Sequence, residues 1–115
     1  MKQRILVVQE SDLEAFKTAT AIRAFGHEVL CASSSADAVQ QLLESRFDAV
    51  VLDWLFAKDL LSFLRTDKRL ESTPAIVLLD EPLTSEFVFG AYDHGSDVAL
   101  VKPVEPEIWH IFSKF

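Results

Sequence analysis

Five short, almost wholly apolar runs punctuate this chain: Ile5 to Val8 (ILVV), Val29 to Ala32 (VLCA), Ala49 to Leu52 (AVVL), Ala75 to Leu79 (AIVLL) and Val98 to Val101 (VALV). None alternates polar with apolar residues, which is the pattern of strands covered on both faces, as in a parallel sheet flanked by helices. The segments between them carry helix punctuation. Ser11 followed by Glu14 fits a capping box, and Leu13, Phe16, Ala19, Thr20 and Ala24 recur at helical spacing up to a stop at Gly26. Ser34 with Asp37 opens a second helix, with Ala38, Val39, Leu42 and Leu43 as its inner face. A third is expected from about Ala57 to Thr66, with Leu60, Leu61 and Leu64 on one side, and a fourth from about Ser85 to His94, ending at Gly95. The last begins near Pro106 and places Ile108, Ile111, Phe112 and Phe115 on one stripe.

Parallel strands need right-handed crossovers, so five β-α units in 115 residues leave room for little but one doubly wound open sheet. The expected fold is α/β and flavodoxin-like: a five-stranded parallel sheet of order 2-1-3-4-5, helices on both faces, a single domain over residues 1–115. Half the residues are hydrophobic, enough for a real core, and the net charge of −7 comes with no Lys/Arg stripe, which argues against direct nucleic-acid binding. Cys31 is the only cysteine, which excludes a disulfide framework and a cysteine-based zinc site; within EVLCA it reads as an inert core thiol. No run has the length of a signal peptide core or a membrane span, so the expectation is a cytoplasmic protein without membrane contact. The end at Phe115 suggests a module of a longer protein.

In sheets of this kind function collects at the carboxyl ends of the strands. Strand 1 ends in Gln9-Glu10, strand 3 in Asp53, strand 4 in Leu79-Asp80-Glu81 and strand 5 in Lys102-Pro103. With ILVVQES at its start, DAVVLD before Asp53 and GSDVALVKP near its end, the chain resembles the receiver domain of two-component response regulators. That resemblance implies that Asp53 is the phosphoacceptor, modified by a histidine kinase. It further implies that Glu10, Asp53 and the backbone carbonyl of Leu55 hold Mg²⁺ with Gln9 in the outer shell, and that Lys102 neutralises the phosphoryl oxygens. A cis Lys102-Pro103 bond is implied as well. Phosphoryl transfer is catalysed by positioning and charge neutralisation, and Mg²⁺ takes oxygen ligands, so these residue types suit the chemistry.

Several positions depart from the family. Gln9 replaces a carboxylate with an amide, and Glu10 is one methylene longer than the usual aspartate. The switch hydroxyl that ends strand 4 is replaced by Leu79, which cannot donate a hydrogen bond, and Asp80 follows where a small residue is usual. The aromatic switch position of strand 5 is Ala99. The stretch WLFAKDLLSFLR after Asp53 is shorter than the family's loop and lacks its Pro-Gly and Asp-Gly turns.

The expected function is therefore an atypical receiver acting as a protein-interaction module with weak or no phosphorylation, not an enzyme, and at most weak Mg²⁺ binding. The alternative is a working phosphoacceptor modified at Asp53. A nucleotide- or flavin-binding enzyme of the same topology lacks support, because QESDLE offers no Gly-rich phosphate cradle. The partner would be a signalling protein, an output domain or a second copy, meeting the face of helix 4, strand 5 and helix 5. Trp109 lies off the apolar stripe of the last helix and, with Phe89, marks that face. His27, His94 and His110 read as surface residues, Asp80 and Glu81 as a solvated loop, and Trp54, Phe56 and Phe63 as core or loop-filling aromatics.

Overall fold

The computed structural model describes residues 2–80 and 95–114. Strands β1 (Arg4–Val8), β2 (Glu28–Ala32), β3 (Ala49–Asp53), β4 (Ala75–Leu79) and β5 (Val98–Val101) form one sheet of order β2-β1-β3-β4-β5. Every pairing is parallel. Helices α1 (Asp12–Arg23), α2 (Ser35–Glu44) and α3 (Trp54–Thr66) and a final 3-10 helix (Pro106–Lys114) connect or follow the strands. The expected fourth helix, with Phe89 and His94, lies outside the described residues, as do Glu81 and Phe115.

Alternate strand residues feed two separate cores, which is why the strands read as continuous apolar runs. Leu6, Val8, Leu52, Val77 and Leu79 face Leu42 of α2 and Phe56, Leu60 and Leu64 of α3. Ile5, Val7, Val51, Ile76 and Leu78 face Ala19 and Ile22 of α1 and Trp109 and Phe112 of the 3-10 helix. The register sets Val8 beside Ala32 and Leu52, Asp53 beside Leu78, and Leu79 beside Val101, so the carboxyl ends of the strands form one edge.

Several expectations need correction. In α1 the buried stripe is Ala15, Ala19 and Ile22, whereas Leu13 and Phe16 are about two-thirds exposed. Two apolar stripes are present in that sequence, and the one with small residues lets the helix lie close to the sheet. Leu43 of α2 is likewise exposed. Helix α3 starts at Trp54 and not near Ala57, because the residues after Asp53 contain no turn former and helix follows strand directly. The last segment is a 3-10 helix with three residues per turn, so Pro106, Trp109 and Phe112 align. Trp109 is therefore buried at 2% exposure, stacked on Phe112 at 5.8 Å between centroids, and Ile108 faces outward. An assumed period of 3.6 inverted these two, and the proposed Trp109-centred contact surface falls with it.

Cys31 is exposed, not in the core, because β2 is an edge strand. His27 is buried, not on the surface: its Nδ1 accepts from the Gln3 backbone N–H at 3.0 Å, and its ring meets the Phe112 edge.

Candidate functional site

Asp53 closes β3 and is also the N-cap of α3, yet its side chain makes no capping hydrogen bond. It turns instead toward Lys102, whose Nζ lies 2.8 Å from Asp53 Oδ1. The Gln9 amide, at the end of β1, donates to the same oxygen at 3.3 Å. Lys102 follows β5, anchored by its backbone N–H donating to the Leu79 carbonyl at 2.8 Å, and its bond to Pro103 is cis. Its ammonium also reaches Asp80 Oδ1 at 3.2 Å and Glu14 Oε1 at 3.4 Å, so one cation serves three carboxylates.

Burial governs the electrostatics. Asp53 is only 7% exposed, not open to solvent as a phosphoacceptor at the sheet edge would suggest, and desolvation pushes its carboxyl above the ordinary aspartate range. The contacts with Lys102 and Gln9 offset only part of that push. Desolvation also works against the Lys102 charge, but hydrogen bonding and attraction from Asp53, with help from Asp80 and Glu14, outweigh it and hold the ammonium above the ordinary lysine range.

The contact of Glu14 with Lys102 was not legible in sequence, where Glu14 reads as the second half of a capping box. Only the first half forms: Ser11 Oγ accepts from the Glu14 backbone N–H at 3.3 Å while the Glu14 carboxylate reaches across to Lys102. Its first-turn place on α1, above the strand ends, was the one available signal.

A curated relative, protein PilH of Pseudomonas aeruginosa, is 28% identical over 109 residues, covering 90% of this chain and 88% of its own length. A Chloroflexus aurantiacus protein classed as a response regulator superposes with a TM-score of 0.91 at 24% identity, over 99% of this chain and 96% of the other. The receiver domain of a Pseudomonas aeruginosa sensor histidine kinase, solved with magnesium coordinated in its active-site cleft, superposes with a TM-score of 0.86 at 20% identity, over 99% and 97%. The chain has the fold of response-regulator receiver domains. No family model matches it.

Within that receiver fold, the residues present make a poor fit to a magnesium site. Gln9 turns its amide nitrogen, a donor, toward Asp53, and Asp53 Oδ1 is already occupied by Lys102. Leu55 was expected to offer its carbonyl. It lies instead in the first turn of α3, where carbonyls point along the axis away from the helix start and from Asp53. Glu10 is exposed beside the Ser11 cap. Among the described residues, no three His, Cys, Asp or Glu side chains are grouped to hold a metal ion. The arrangement can hold Asp53 as a buried carboxylate against an internal ammonium.

Proposed function

We propose that this chain is an atypical receiver, a cytoplasmic signalling module that contacts a signalling protein or output domain without depending on phosphorylation of Asp53. The observation that carries this reading is at the two switch positions. Leu79 is 1% exposed within the α2–α3 core, and Ala99 packs against that same cluster. Hydrocarbon fills both places where the family resemblance calls for a hydroxyl and a movable aromatic ring. A phosphoryl group on Asp53 would find no donor at Leu79, and Asp80 beside it brings a like charge. The poor donor set for Mg²⁺ points the same way, so binding of that ion is weak.

The test is intact mass after incubation with Mg²⁺ and a small phosphodonor such as acetyl phosphate. Little or no added mass is expected. Stoichiometric gain of one phosphoryl group, lost in Asp53→Asn, would overturn the reading and restore a working phosphoacceptor. That second reading has its own support in the 2.8 Å contact of Asp53 with Lys102, which sets a cation beside the carboxylate that would be phosphorylated.

A further inference from the structure

Strand β2 forms one edge of the sheet, and its pairing with β1 decides which of its backbone groups face out. Glu28 donates its N–H to the Gln3 carbonyl and the Ala32 carbonyl accepts from Gln9, so Glu28, Leu30 and Ala32 direct their backbone groups to β1. Val29 and Cys31 therefore turn theirs outward, the template on which another strand could pair. Both outward carbonyls are taken. Arg23, the last residue of α1, donates from Nη2 to the Val29 carbonyl at 2.8 Å, and Gln41 of α2 donates from Nε2 to the Cys31 carbonyl at 3.0 Å. Since α1 and α2 cover opposite faces of the sheet, one side chain reaches the edge from each face. We infer that β2 is a latent self-pairing edge for a second copy of this chain, held closed by Arg23 and Gln41.

The strand itself carries none of the usual protections of an edge. Its sequence EVLCA holds no proline and no lysine, its register with β1 runs without a bulge, and its single charge, Glu28, is paired with Arg4 at 3.1 Å. Leu30 and Cys31 are exposed along it. Such an edge is complementary to itself. With a two-fold axis at Leu30, Val29 of each copy stands opposite Cys31 of the other, and each of these antiparallel pairs exchanges both of its N–H···O bonds, running the sheet on through two molecules. The N–H groups that this needs are open, because those of Val29 and Cys31 have no acceptor among the described residues. The carbonyls are not, and Gln41 is steadied in its place by a second acceptor, Asp37 Oδ1, at 3.3 Å on the same helix. The two helices thus supply the protection that the strand lacks, by occupying the acceptors that a second copy would use.

The test uses the whole chain, with sedimentation to read mass and amide hydrogen exchange to read place. In the wild type the Val29 and Cys31 amides should exchange quickly at every protein concentration. In the double variant Arg23→Met with Gln41→Leu, the mass should shift from the wild-type value towards twice that value as concentration rises, and the same two amides should gain protection in step with it. Adding Leu30→Lys, which sets a charge on the edge itself, should reverse both changes and so separates strand pairing from general stickiness. Gln41→Leu alone, freeing one carbonyl, should show the same shift at higher concentration and takes the place of the double variant if that does not fold. Folded variants that match the wild type in mass and exchange would overturn the assignment. So would wild-type protection of Val29 and Cys31 that grows with concentration, or association that leaves those amides unprotected or survives Leu30→Lys.

Discussion

At the scale of single residues the protein is governed by ionisable groups held largely out of water. Asp53 keeps a raised folded-state pKa even with an ammonium against it, because burial outweighs the pairing. Its proton therefore favours the folded state: that stability is fully present below the unfolded value of 3.8 and is lost as pH rises through the folded value. Asp53→Asn should accordingly raise the melting temperature at pH 7, with an advantage that shrinks as pH falls through the Asp53 titration; calorimetry across pH checks this. Lys102→Met, which leaves Asp53 charged and unpaired, should destabilise by about 2 kcal/mol in urea unfolding, between the values for buried and exposed pairs. The double variant should recover most of that loss. His27 has the opposite sign. Desolvation, aided by the positive N-terminus, lowers its pKa below 6.5, and its Nδ1 already accepts the Gln3 N–H, so protonation would set two donors face to face. Its contribution is present above pH 6.5 and is lost as pH falls from there through the folded value. His27→Gln should flatten the stability-pH curve just below pH 6.5, read from denaturant midpoints.

At the scale of elements, the 3-10 helix is a core-sealing piece. Trp109 and Phe112 stack under α1, so Trp109→Ala should cost about 3–5 kcal/mol, a large part of the stability of a domain this size. Ile108→Ala, at 39% exposure, should cost under about 1 kcal/mol in the same urea titration. Equal losses at the two positions would contradict the 3-10 register. Arg65 of α3 acts as a clamp between elements. It donates to the carbonyls of Gly95, Glu71 and Thr73 and pairs with Asp97, which in turn accepts from the Ala75 backbone N–H where β4 begins. Arg65→Met strands these acceptors together and should destabilise by about 2–3 kcal/mol.

At the scale of the whole molecule, one internal ammonium gathers the acidic groups of the sheet edge. Glu14 of α1, Asp80 after β4 and Asp53 of β3 converge on Lys102, tying four elements through one ammonium. On the proposed reading the folded state would gain little from an added metal. Millimolar Mg²⁺, with or without acetyl phosphate, should leave the melting temperature within about one degree, because a ligand stabilises only when its concentration exceeds its dissociation constant. A rise of several degrees, removed by Asp53→Asn, would show that a metal displaces Lys102. Among the described residues no helix is long and apolar enough to cross a membrane.

The strand positions, their parallel order and the meeting of Asp53 with Lys102 were all legible in the chain, because doubly buried strands write themselves as unbroken apolar runs and their ends fall at fixed places along the sequence. Ser11, Ser34 and Gly26 likewise announced helix limits through local backbone chemistry that needs no tertiary partner. Which face of an element turns inward was a different matter. Leu13 and Phe16 lost to Ala15 and Ile22, and Ile108 to Trp109, because helix rotation is set by what the sheet and neighbouring helices leave to be filled. The reach of Glu14 to Lys102 spans 88 residues and depends on the angle of α1 over the strand ends, which no local pattern encodes. Local propensity thus determined the elements and their order along the chain, and packing decided that Glu14 joins Asp53 and Lys102 at the site and which side chains seal the core.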